Sequence, residues 1–215
     1  MTQWIGGLGI VFFTIAVLPI FGVGSVQLFA AEATGPTHDK VHPRIGVTAK
    51  WIWTIYLGLT ITEIILLVAG GMNFFDSVCH SLTTTATGGY STKQNSIAAF
   101  NSPYIEYIIT LFMFLAGINF TLLYLLFLKG NFKRLFQNTE LHWYLGTVGF
   151  FTLFTTVTLI FTSPFSIEES FRKAIFQVVS LQTTTGFISA DYMTWVPVLL
   201  SLIHISEPTR LLSIS

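Results

Sequence analysis

Two uncharged stretches carry the residue types that can hold a bare cation: TTTATGGYST from Thr83 to Thr92 and LQTTTGFISA from Leu181 to Ala190. A loop that turns four or five successive carbonyl oxygens into a water-filled path can replace a cation's hydration shell. Glycine suits such a loop, because aiming neighbouring carbonyls the same way requires dihedrals, including positive φ, that other residues reach only at a cost. Gly88, Gly89 and Gly186 meet that need. Threonine hydroxyls add oxygen without charge, and a preceding short helix presents the negative end of its dipole to the ion. The aromatic that follows, Tyr90 or Phe187, would wedge the loop against its helices. At a constant offset of 97 residues Phe74 falls on Phe171, Thr87 on Thr184, Gly89 on Gly186 and Tyr90 on Phe187. A single TTTG match would read as an external hairpin with clustered threonines; two copies at the same place in a repeat argue against that. A carbonyl ring around a monovalent cation generally takes four loops. This chain has two, so the others must come from further sequence or a second subunit.

Three other polar residues bear on ion passage. Glu63 is the one charge within a long apolar stretch, and burying it away from water is expensive, so it should face a cavity or a partner. The alternative is a structural carboxyl. Asn119, in AGINF, is placed to hydrogen-bond a loop or simply a neighbouring helix. Asp191 lies four residues past Phe187, at the expected outer mouth, where a carboxylate concentrates cations unless it is only a solvated loop acid. His38 and His42 have i, i+4 metal spacing, but the glutamate of a zinc-protease motif is absent and Pro36 and Pro43 bracket them, so no metal other than the cation is expected. An intramembrane enzyme would need paired acids or metal ligands inside its spans. Glu63 stands alone there, so no enzyme and no organic cofactor are expected.

The elements that must position these loops are membrane helices. Only 9% of the 215 residues are charged, against about 25% in an ordinary soluble domain, while 52% are hydrophobic and 15% aromatic. Trp4 to Ala31, Trp51 to Gly71, Tyr107 to Leu128 and Trp143 to Ser163 together hold the single charge Glu63. At about 1.5 Å per residue each can cross a hydrocarbon core of about 30 Å. The links Glu32 to Lys50 and Lys129 to His142 hold six basic residues between them, and the two loop-bearing connections hold three. By the positive-inside bias the links are cytoplasmic and the loops external. Ten basic against ten acidic residues with no basic run leave no footprint for nucleic acid, and one cysteine excludes an internal disulfide.

Each external connection opens with a moderately apolar segment, Phe74 to Thr87 or Phe171 to Thr184, too short to span and suited to a re-entrant helix. The chain therefore reads as an all-α membrane protein built from repeated helix, re-entrant pore loop and helix units. Met1 opens on what reads as the last helix of an earlier copy, and no full apolar span follows Trp195, so the chain reads as truncated at both ends.

TQWIGGLGI with Leu18-Pro19, ATGPTHDKVHPRI, ATGGYST, AGINFTLLY and FQVVSLQTTTGF together resemble the membrane subunit of the Trk/Ktr/HKT potassium transporters, most closely its bacterial TrkH branch. That family strings four helix, pore-loop, helix repeats around one potassium-channel-like pore. The resemblance implies that residues 1–31 are the last helix of repeat one, 32–46 a cytoplasmic link, 47–128 repeat two, 129–141 a second link and 142–201 an incomplete repeat three. Residues 202–215 match nothing expected there and read as a non-native tail. It further implies a potassium filter at Thr87, Gly88, Gly89 and Tyr90 and at Thr184, Thr185, Gly186 and Phe187. Potassium uptake across the bacterial inner membrane, a homodimer and a cytoplasmic nucleotide-binding regulatory ring follow from the same resemblance. The rival reading of the residues alone is a self-contained two-loop cation channel subunit whose dimer supplies four loops.

Overall fold

The computed structural model describes residues 2–7, 45–120, 122–123, 138–190 and 195, and among these every regular element is helical. The order is α1 (Thr2–Gly7), α2 (Ile45–Ala69), α3 (Phe74–Thr85), a 3-10 turn (Ser96–Phe100), α4 (Pro103–Ala116), α5 (Thr139–Thr162) and α6 (Ile167–Gln182). Lys50–Ala69 of α2 and the whole of α5 are long and apolar enough to cross a membrane. Both turn large apolar side chains outward: Ile61 and Ile65 on α2, and Trp143, Phe150, Leu153 and Phe161 on α5. An apolar surface of that extent is costly in water and matched in hydrocarbon.

The helix ends are written locally. At the end of α2 the Met72 N–H bonds the Leu67 carbonyl at 3.1 Å and the Gly71 N–H bonds Val68 at 3.0 Å, a glycine-terminated reversal with Gly71 at φ 88°. It turns the chain directly into α3. At the start of α6 the Ser166 hydroxyl accepts the Glu169 N–H at 3.2 Å, and Glu168 and Glu169 occupy the positive end of the helix dipole. That cap starts α6 at Ile167, ahead of the expected Phe171. In α4, Pro103 sits in the first turn, where its missing N–H costs nothing.

One expected element is broken. Tyr107 to Leu128 reads as an unbroken span, yet α4 ends at Ala116, and Gly117 to Asn119 form a turn before the helix resumes at Phe120. Asn119 is thus not mid-helix; its carbonyl accepts the N–H groups of Leu122 at 2.8 Å and Leu123 at 3.2 Å, opening the next turn. The turn is closely packed against the second half of the chain. A side-chain carbon on Gly117 would lie 2.6 Å from both Thr183 Cγ2 and Tyr144 Oη. The chain at this level is fitted around the end of α6 and the side of α5.

The main core joins the two halves of the chain: Leu67, Ile97, Ile105, Ile109 and Met113 pack with Val148, Phe176, Val179 and Phe187. Of the two short helices, α6 gives Phe176 and Val179 to this core, whereas α3 buries mainly polar side chains, among them Asp76, Ser77, His80 and Thr84; each ends at one of the threonine- and glycine-rich loops.

Candidate functional site

The two loops share one backbone. The residue that ends α3, Ala86, and the one that ends α6, Thr183, have the same dihedrals, φ −84° and ψ 1°. Thr87 and Thr184 follow at φ 50° and 56°, then Gly89 and Gly186 at 65° and 82°. Gly88 N–H bonds the Thr83 carbonyl at 2.7 Å, and Thr185 N–H bonds Ser180 at 2.9 Å. The Thr83 hydroxyl donates to the Tyr90 carbonyl at 3.0 Å and the Ser180 hydroxyl to the Phe187 carbonyl at 2.8 Å. Every one of these pairs stands at the offset of 97. A left-handed backbone at a threonine is an outlier for a β-branched residue and costs on the order of 1–3 kcal/mol. Two such threonines at matching positions mark a conformation that the surroundings impose.

Positive φ at alternate residues is the arrangement that lets neighbouring carbonyls face one side. The glycines divide the work differently from the expectation. Gly89 and Gly186 take positive φ, but Gly88 does not, and Thr87 and Thr184 take it instead. At Gly88 a side-chain carbon would meet the terminal amide of Gln3 on α1, a flexible side chain that can move aside. The aromatic residues also part ways: Phe187 is fully buried, and Tyr90 is 68% exposed.

The loops meet. A side-chain carbon on Gly89 would overlap the Thr185 carbonyl oxygen. Beyond that contact, the Ile188 carbonyl accepts the N–H groups of Ile97 at 3.1 Å and Ala98 at 3.2 Å, and the Ile188 N–H donates to the Ser96 hydroxyl at 3.2 Å. The segment after the first loop is therefore bonded to the second. On the other flank, Trp4 Nε1 donates to Thr60 Oγ1 at 3.1 Å, Tyr56 donates to the Trp4 carbonyl at 2.9 Å, and the Thr60 and Thr85 hydroxyls lie 3.0 Å apart. These bonds tie α1 and α2 to the end of α3.

Glu63 is fully buried on α2, neither carboxyl oxygen makes a hydrogen bond, and Thr84 of α3 is the polar side chain within its reach. Asp191 lies outside the described residues.

Several contributors were not singled out by sequence reasoning. Asp76, in the first turn of α3, accepts the Thr92 hydroxyl at 2.7 Å and lies 3.6 Å from Lys93 Nζ. The Thr92 bond holds its carboxyl below the ordinary carboxylate range, burial opposes this, and the Lys93 charge adds to the lowering. Arg172 of α6 reaches Glu106 of α4 at 2.8 Å and Glu168 at 3.1 Å, and Tyr107 donates to Glu168 at 3.1 Å. His80 is buried on α3. The available signal for these was a charged or titratable residue inside an otherwise apolar short segment.

The TrkH family model, described as a cation transport protein, matches residues 1–206, which takes in the first five residues of the stretch read above as non-native. The Trk system potassium uptake protein TrkH of Halomonas elongata is 40% identical over 194 residues, covering 90% of this chain and 40% of that protein. Its namesake in Escherichia coli K12 is 40% identical over 205 residues, covering 93% of this chain and 42% of that protein. The crystal structure of the potassium transporter TrkH from Vibrio parahaemolyticus superposes with a TM-score of 0.76 at 32% identity, over 95% of this chain and 41% of that one. The chain spans about 40% of the length of these relatives. It belongs to the TrkH family of cation transport proteins.

Proposed function

We propose that this chain supplies two of the loops of a potassium-uptake pore in the bacterial inner membrane, with Thr87 to Tyr90 and Thr184 to Phe187 selecting the ion by backbone oxygen. The observation that carries this reading is the meeting of two loops of one backbone design at Gly89 and Thr185. Carbonyls held this way by short helices coordinate a cation without any carboxylate and without covalent chemistry. The relatives' names supply the ion, potassium.

In this reading residues 1–31 end a first repeat, 47–128 form the second and 142–201 belong to the third. A carbonyl ring takes four loops, and relatives more than twice this length leave room for the other two in one polypeptide, which favours a single-chain pore over a two-loop subunit completed by dimerisation. The regulatory ring implied by the resemblance would dock on the basic links, so charge reversal at Lys40, Arg44, Lys133 and Arg134 should weaken its co-purification. The function itself is tested by rescue of a potassium-uptake-deficient strain at limiting potassium with the full-length protein carrying this segment. Gly89→Ser and Gly186→Ser should each impair rescue and lower the preference for potassium over sodium. Growth equal to the parent's in both would remove the loops from the pore.

A further inference from the structure

His80 is fully buried, yet both of its ring nitrogens are used. Nδ1 lies 2.7 Å from the Asp76 carbonyl, one turn back along α3. A carbonyl only accepts, so Nδ1 carries the proton and Nε2 of the neutral ring is an acceptor. Nε2 lies 2.9 Å from the Ser91 hydroxyl, one residue past Tyr90. Ser91 Oγ in turn accepts the Lys93 N–H at 3.0 Å, so the serine hydroxyl proton is free to point at His80. The ring faces are also occupied: Phe100 meets it edge-on with centroids 5.4 Å apart, and Phe187 lies at 5.8 Å. One side chain therefore bonds the exit of the first loop and packs on the buried aromatic of the second. At the offset of 97 the corresponding residue is Gln177, so the third repeat has no copy of this ring.

We infer that His80 is a positioning residue for ion selection, fixing the exit of the first loop, where it passes the second, by holding Ser91 through Nε2. This rests on the pore reading above, and it assigns the Ser91 bond, not the i−4 bond to Asp76, as the one that matters. The two bonds are separable. The amide of asparagine reaches about as far as Nδ1, keeping the helical carbonyl and losing Ser91. The amide of glutamine reaches about as far as Nε2 and keeps Ser91.

The test measures KM for potassium and for sodium in the full-length protein carrying His80→Asn, His80→Gln, Ser91→Ala, or His80→Asn with Ser91→Ala. The expected result is a loss of potassium preference of about fivefold to tenfold in His80→Asn and in Ser91→Ala, the scale of one hydrogen bond, with the double variant no worse. His80→Gln should stay within about twofold of the parent. Ser91→Ala removes one hydroxyl at a half-buried loop position, so it stands on its own should His80→Asn fail to fold. Parental selectivity in Ser91→Ala, additive losses in the double variant, or identical losses in His80→Asn and His80→Gln would each overturn the inference. A parent that transports no potassium would overturn the pore reading instead, and this with it.

Discussion

Gly89 faces the carbonyl oxygen of Thr185 so closely that a side-chain carbon on the glycine would overlap it. The two residues are 96 positions apart in the chain, and their contact is where the loops touch. A ring of carbonyls that replaces an ion's hydration shell depends on how closely its loops approach one another.

Gly89 has positive φ and also faces the Thr185 carbonyl. Gly89→Ala therefore meets two penalties, a strained backbone and a collision with peptide oxygen that cannot rotate away. The strain alone is about 1–2 kcal/mol, so potassium uptake at limiting concentration should fall by more than about thirtyfold, the most that strain of this size accounts for. A smaller loss would mean that the loops are not spaced by this contact.

How much of this could be read from the residues alone depended on whether the cause was local. The two loops stood out because threonine and glycine cluster twice at one offset, and the apolar run closing at Gly71 marks the end of α2, whereas the Ser166 cap that starts α6 ahead of Phe171 was passed over. The break after Ala116 could not be read. The apolar run continues through it, and the glycine needed there answers to Thr183 and Tyr144, far along the chain. Gly88 does not take the positive φ expected of it; Thr87, next to it, does. Positive φ at Thr87 and Thr184 runs against intrinsic preference, and only packing around the loops can impose it.

Glu63 tests the difference between a pore charge and a buried carboxyl. It is fully buried on α2, with Thr84 near the end of α3 in reach. Glu63→Gln keeps its shape and removes its charge. Potassium KM should stay within about twofold of the parent, less than the scale of one hydrogen bond. A rise of tenfold or more at unchanged protein level would place the charge in the ion's path.

The Arg172 and Glu106 pair joins α6 to α4 at 2.8 Å, with side chains only 11% and 6% exposed. Removing one partner of a buried pair is destabilising, but Glu106→Gln leaves Arg172 its bond to the exposed Glu168 at 3.1 Å, so the cost should fall below the roughly 3–5 kcal/mol of a fully uncompensated charge. Glu106→Gln should lower the thermal unfolding midpoint in detergent. Glu106→Gln combined with Arg172→Met should recover part of the loss, because the guanidinium that has lost its buried partner is gone. A double variant as unstable as the sum of its single changes would show that the two groups act independently.

Asp76 gives the first loop an acid limit. Its folded carboxyl is held below the ordinary value, first by the Thr92 hydroxyl and then by the Lys93 charge, against the effect of burial. A group depressed in the folded state contributes stability that is complete above the unfolded value, about pH 3.9, and is lost as pH falls through the depressed folded value. The unfolding midpoint of the parent should therefore decline more steeply below about pH 4 than that of Asp76→Asn, whose side chain does not titrate. Thr92→Val removes the largest cause of the depression and should leave a shallower decline than the parent's. Parallel curves for the parent and Asp76→Asn would mean that the Thr92 and Lys93 contacts do not hold the carboxylate in the folded protein.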